Sequence, residues 1–123
     1  MTAKEYLNQY RDCVQELSCK KAEREQLLAD AAAVGEPDTT EIEIELERER
    51  KHFYQVRREI RAAIRAVPSA QLRCLLTYRY ICGGGWNEIS QKMHLSHTHV
   101  VNRLQNEALN FVENHIKEGT SCN

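Results

Sequence analysis

Apolar residues recur at three- and four-residue intervals along most of the chain, the spacing of one face of an α-helix. Over residues 2–33, Leu7, Tyr10, Val14, Leu17, Lys21, Arg24 and Leu28 form one seam with no Gly or Pro inside it, and Gly35 stands where a helix would end. A second seam follows Pro37: Ile42, Leu46, Phe53, Val56, Ile60, Ala63 and Val67. Asp38 and Thr40 each have a glutamate three residues later, Glu41 and Glu43, the spacing of a capping box. The run Glu41–Glu47 alternates as a strand would, but no other segment alternates to pair with it, so helix is the expected state. Ile44 is then left off the seam and free to touch a further element.

Folding the two seams back on each other about Gly35 makes facing position numbers total about 70, as in an antiparallel pair of heptad-like stripes. Leu7 then meets Ala63, Tyr10 meets Ile60, Val14 meets Val56, Leu17 meets Phe53, Lys21 meets Glu49, and Leu28 meets Ile42. The expectation is an antiparallel coiled-coil hairpin over residues 1–66, with arms of roughly 45 Å at 1.5 Å per residue. Such stripes are core packing rather than a site. A two-helix hairpin buries only one stripe per helix, so self-association into a homo-oligomer is expected to cover more of it.

After Pro68 the pattern shortens. Leu72, Leu75, Leu76 and Tyr80 mark the inner side of a third helix, Ser69–Cys82, and Gly83, Gly84 and Gly85 break it. A short helix, Trp86–Met93, points Ile89 and Met93 inward. His94-Leu95-Ser96 forms a tight turn in which Ser96 is a suitable N-cap. His94 sits where a left-handed backbone is expected, and His accepts that conformation better than most residues. The last helix, His97 to about Ile116, would be buried through Val100 or Val101, Leu104, Ala108 and Phe111.

A short helix, a three-residue turn and a longer helix make a helix-turn-helix. Val67-Pro68, Leu75-Leu76, Arg79-Tyr80, Gly85-Trp86, Glu88-Ile89 and Leu95-Ser96 together resemble region 4 of bacterial sigma factors. The stretch 67–112, with the opening MTAKEYL, resembles a family of short sigma-like proteins of phages and prophages of Gram-positive bacteria, related to regulators of phage late genes. The resemblance implies an all-α chain in which the hairpin is followed by a sigma region 4-like helix-turn-helix bundle over 67–118; residues 119–123 are expected to form a flexible tail. It implies a sequence-specific DNA-binding transcription regulator without enzymatic activity, whose partners are double-stranded DNA and the host RNA polymerase.

With Val100 or Val101, Leu104 and Ala108 inside, the outer face of the last helix carries Thr98, His99, Asn102, Arg103 and Asn106. Arginine pairs with guanine and asparagine with adenine in the major groove, so these are the expected base readers. Lys92, Ser96 and His97 are placed to hold phosphate near the helix start. Arg79 fits either a bond within the module or a phosphate contact. The competing reading is a protein-interaction module that binds RNA polymerase or another regulator and never touches DNA.

Charge sharpens that choice. The chain carries a net −1, and residues 68–123 hold five Lys/Arg against four Asp/Glu, too neutral for tight solitary binding to a polyanion. The charge is instead segregated along the second helix. Seven acids lie in 36–49, and seven bases (Arg48, Arg50, Lys51, Arg57, Arg58, Arg61 and Arg65) lie against two acids in 48–65. Such blocks are ordinarily solvated faces; a docking surface for an acidic or nucleic-acid partner is the sharper reading.

Other chemistries find little support. With 41% hydrophobic and 28% charged residues, the chain is too apolar for a disordered protein. It has no run of the roughly 20 apolar residues that span a bilayer. MTAKEYLNQYRD lacks the apolar core of a secretion signal, so a cytoplasmic location and no membrane partner are expected. The cysteines, Cys13, Cys19, Cys74, Cys82 and Cys122, form no CxxC pair, so neither an intrachain disulfide nor a metal site is expected, His94, His97 and His99 notwithstanding. Cys13 and Cys74 fall among apolar helical positions as small hydrophobes. No nucleophile–base pair, paired carboxylates or phosphate-cradling loop points to catalysis or a cofactor.

Overall fold

The computed structural model of the protein describes residues 1–121, and every regular element among them is helical. Helix α1 (Ala3–Val34) starts at Thr2, whose hydroxyl accepts from the Glu5 amide at 3.2 Å, and stops at Gly35, whose φ of 109° a side chain would resist. Helix α2 (Thr40–Arg65) takes Thr39 as its N-cap without a side-chain bond. The Asp38 carboxylate accepts from the Thr40 amide at 3.2 Å, so the expected capping box is replaced by a turn. The alternating stretch Glu41–Glu47 is helical, and Ile44 stays 53% exposed with no further element on it.

α1 and α2 lie side by side and antiparallel. Tyr10 packs edge-on against Phe53 with centroids 5.3 Å apart, Lys20 reaches Glu45 at 3.8 Å, and Arg24 reaches Glu43 at 3.4 Å. Their register differs from the expected one by about two helical turns at these contacts: Phe53 faces Tyr10 rather than Leu17, and Glu49 lies near Cys13 rather than Lys21. The connection explains the slip. Glu23, Leu27, Asp38, Glu41, Ile42 and Glu45 line one shallow groove, so residues 35–39 run back beside the last turns of α1 before α2 begins. The end of α1 therefore overhangs its partner, with Leu28 and Val34 exposed, the latter by 81%.

Helix α3 (Ala70–Leu76) is capped by Ser69, whose hydroxyl accepts from the Leu72 amide, and passes into a π-helical turn at Thr77–Ile81. α4 covers Trp86–Met93. α5 opens at His97–His99, widens into a second π-turn at Val100–Leu104, and continues through Gln105–Ser121. Residues 119–121, expected in a flexible tail, thus belong to this helix; 122 and 123 lie outside the described residues.

A single core crosses the boundary at 66/67. Ala3, Leu7 and Cys13 of α1 and Val56, Ile60 and Ile64 of α2 share one cluster with Leu75, Leu76 and Tyr80 of α3, Ile89 of α4, and Val100, Leu104, Ala108 and Val112 of α5. Polar bonds fasten the same junction. The Ala3 amide donates to the Glu113 carboxylate at 2.8 Å, placing an acid at the positive end of α1, and the Arg11 guanidinium donates to the Ile81 carbonyl at 3.1 Å. The surface that a lone hairpin would leave bare is thus covered at its base by the chain's own C-terminal half.

Four cysteines, at positions 13, 19, 74 and 82, are free thiols. Cys13 is buried, whereas Cys74, expected among apolar positions, is exposed. Burial pushes the Cys13 thiol up, and the neighbouring carboxylates Glu49, Asp12 and Glu16 push it further. No helix of the described residues is long and apolar enough to cross a membrane.

Two predictions follow from this packing. Leu75→Ala, at a fully buried position, should cost ~3 kcal/mol, and Phe53→Ala, only half-buried against Tyr10, about half as much. Urea unfolding followed by circular dichroism gives both values, and equal losses would mean that the α1–α2 seam is as dry as the core. Near neutral pH, iodoacetamide should modify Cys19, Cys74 and Cys82 well before Cys13, whose thiolate is both scarce and covered. Peptide mass mapping of briefly treated protein reads the order.

Candidate nucleic-acid interface

The break between α3 and α4 is shaped by two of its three glycines. Gly83 has φ +73°, and a Cβ there would come within 3.3 Å of the Arg11 guanidinium. Gly84 lies so close to the Tyr78 carbonyl, to which its own amide donates at 2.9 Å, that a Cβ would sit 3.1 Å from that oxygen. Arg79 belongs to this break. It donates to the Gly84 carbonyl at 3.1 Å and lies 4.5 Å over the Trp86 ring, so it clamps the start of α4 rather than standing free for phosphate. Trp86, half-buried, takes this cation on its face while the hydroxyl of buried Ser90 donates to the Trp86 carbonyl at 2.7 Å.

α4 ends in a Schellman arrangement. The Leu95 amide donates to the Ser90 carbonyl at 3.0 Å, and the His94 amide to Gln91 at 3.2 Å. His94 takes φ 56° and ψ 43°, the left-handed conformation its position called for, and is the one non-glycine residue with positive φ among the described residues. Ser96 then caps α5, accepting from the His99 amide at 3.2 Å.

The π-turn decides which face of α5 is inside. Val100 rather than Val101 is fully buried, followed by Leu104, Gln105, Ala108 and Val112. A row at four-residue spacing drifts around a regular α-helix, and the extra residue in the widened turn holds it facing inward. The same phase shift corrects the expected burial of Phe111, which is 41% exposed while Val112 takes its place. Buried Gln105 points its amide at the Tyr80 hydroxyl, 3.5 Å away, tying α5 to α3.

The expected readers fall on one stripe. Thr98, Asn102, Arg103 and Asn106 are exposed, and His99 is half-buried at its edge. The Asn106 side-chain amide donates to the Asn102 carbonyl at 2.7 Å. Lys92, Ser96 and His97 are exposed beside the stripe where α4 gives way to α5. Each cation here has a glutamate one turn away: Lys92 meets Glu88 at 3.2 Å, and Arg103 meets Glu107 at 3.5 Å. Lys92 also lies 5.3 Å from the Tyr78 ring. The four-residue spacing of both pairs is legible in the chain, although the roles expected of Lys92 and Arg103 took no account of it. Exposed pairs of this kind are worth less than about 1 kcal/mol, so a phosphate or a base edge can displace the glutamate at little cost.

Among the described residues no group of His, Cys, Asp and Glu side chains is assembled to hold a metal ion. No known family model, curated protein or solved structure matches the chain.

The backbone at His94 supplies a prediction. His94→Gly should stabilise the protein by up to about 1 kcal/mol, because glycine adopts this conformation without a Cβ clash, and His94→Val should destabilise it by a larger margin. Thermal unfolding of the two variants measures the difference. Loss of stability with glycine would mean that the His94 side chain makes a contact worth more than the strain.

Proposed function

We propose that the protein is a sequence-specific, DNA-binding transcription regulator of the sigma region 4 type, phage- or prophage-encoded, which acts with RNA polymerase. The observation that carries the proposal is the exposed stripe Thr98–Asn102–Arg103–Asn106 on a helix that leaves a tight left-handed turn after a short helix. In this reading α4 and α5 form a helix-turn-helix and α5 enters the major groove. Arg103 exchanges Glu107 for a guanine edge, Asn102 and Asn106 offer amides to adenine, and Lys92, Ser96 and His97 meet the backbone. Polymerase, or a second copy of the chain, supplies the contacts that a neutral module lacks.

The second reading, an interaction module that never touches DNA, is favoured by the pairing of Lys92 with Glu88 and of Arg103 with Glu107, which leaves the stripe close to neutral.

Mobility shift with DNA from the gene's own neighbourhood, with and without host RNA polymerase, separates the two. Arg103→Ala should weaken binding to the specific site by ~1–3 kcal/mol while leaving the fold intact, because its side chain points outward. Lys92→Ala should weaken binding evenly across sequences and lessen its salt dependence, as loss of a phosphate contact does. If no DNA is retarded under either condition, the interaction-module reading replaces this one.

A further inference from the structure

The densest run of basic residues lies away from α5. On the last turns of α2, Arg57, Arg61 and Arg65 recur every four residues, a step of about 6 Å along the helix, with Arg58 beside them. All four are exposed, and none takes part in an ion pair or side-chain hydrogen bond among the described residues. They line two adjoining grooves. One, bounded by Tyr54 and Ala62, runs along α2; the other lies between α2 and α3, where Arg73 and Thr77 form the far wall and Tyr10 and Ile81 the floor. Arg73 donates to the Val67 carbonyl at 2.7 Å, which fixes its position and leaves its charge in the groove. No carboxylate lines either groove.

Five guanidinium groups without an ion-pair partner among the described residues repel one another, and Glu59, which shares these turns of α2, lines neither groove. Of the seven acids at 36–49, five sit at the opposite end of the same helix and two in the connection before it, which leaves this end positive. A regular row of guanidiniums, spaced much as phosphates are along a strand, suits a linear array of anions. A folded acidic protein would also want an apolar anchor, the core of most protein interfaces, and these grooves offer only the edges of Tyr10, Ala62, Ile64 and Ile81. Nucleic acid needs no such anchor, because release of its condensed counterions drives binding by charge alone.

We propose that the Arg57–Arg58–Arg61–Arg65–Arg73 grooves bind the sugar–phosphate backbone of a nucleic acid independently of its sequence. The site rests on no property of α5, and it adds phosphate contacts to the few that the near-neutral α4–α5 face offers.

The test is fluorescence anisotropy with labelled random-sequence DNA, duplex and single-stranded, titrated at several salt concentrations. Replacing Arg57, Arg61 and Arg65 together with Gln should lower affinity about tenfold or more. It should also flatten the dependence of log affinity on log salt by the equivalent of about two to three phosphate contacts. The corresponding lysine variant should keep most of the binding, which also shows that the positions tolerate change. Removing three positive charges elsewhere, by Lys4→Gln, Arg48→Gln and Lys51→Gln, should leave affinity close to that of the unaltered protein. A preference for the duplex or the single-stranded probe identifies the source of the backbone. The proposal is overturned if the groove variant binds as the unaltered protein does, or if the control variant loses as much. It is equally overturned if a poly-glutamate peptide binds the grooves as tightly as DNA, since the partner would then be an acidic protein. Loss of binding to random DNA in the groove variant, alongside an Arg103→Ala variant that still recognises its site normally, would sink the reading of α5 and leave this one standing.

Discussion

Everything in the molecule hangs on the burial of the hairpin's open end in the core of the C-terminal half. Ala3 and Leu7 from α1, and Val56, Ile60 and Ile64 from α2, enter the cluster built by Leu75, Leu76, Tyr80, Ile89, Val100 and Val112. Two antiparallel helices alone bury too narrow a stripe to be stable, and three short helices of some fifty residues are marginal by themselves. Joined, they close a core with fully buried side chains on every element except the tip of the hairpin. The bonds from Ala3 to Glu113 and from Arg11 to Ile81 pin this junction by its polar rim, so the long helices are held at a fixed angle to the α4–α5 pair. A rigid junction matters for the proposed function, because it sets where the arginine row of α2 stands relative to the stripe on α5.

The parts of this fold that could be read from the chain are those set by local periodicity. Ile42, Leu46, Val56, Ile60, Ala63 and Val67 are all buried, as a 3.6-residue repeat required, and the alternation at 41–47 yields to it because no partner strand exists. The register of α1 on α2 was not legible. It depends on how the five residues 35–39 travel, and a chain that doubles back beside its own helix leaves no mark on the hydrophobic pattern. Phe111 and Val112 exchange roles for a similar reason: a π-turn at Val100–Leu104 moves the helix phase, and its widening answers to packing against α3 rather than to any single residue.

The candidate site divides in the same way. The left-handed turn at His94 and the cap at Ser96 were visible because one residue in each case limits the backbone. The stripe Thr98–Asn102–Arg103–Asn106 was visible as the polar side of an amphipathic helix. What was missed is electrostatic. Glu88 and Glu107 quench the two cations of that face, while the bases noted along α2 turn out to converge with Arg73, a residue eight positions further on and on another helix. Convergence across elements is a property of the tertiary fold and has no signature in a linear charge count.

The overhanging end of α1 has a consequence of its own. Beyond the level where α2 begins, Leu28 and Val34 are exposed, and the last turns of the helix, with the stretch 35–39 running back beside them, contribute no side chain to the core. Whole turns can be gained or lost here without disturbing the core, provided the returning stretch 35–39 changes length to match. The length of this end is therefore uncoupled from the core, and the reach of the rod can be tuned while the packing at its base stays unchanged.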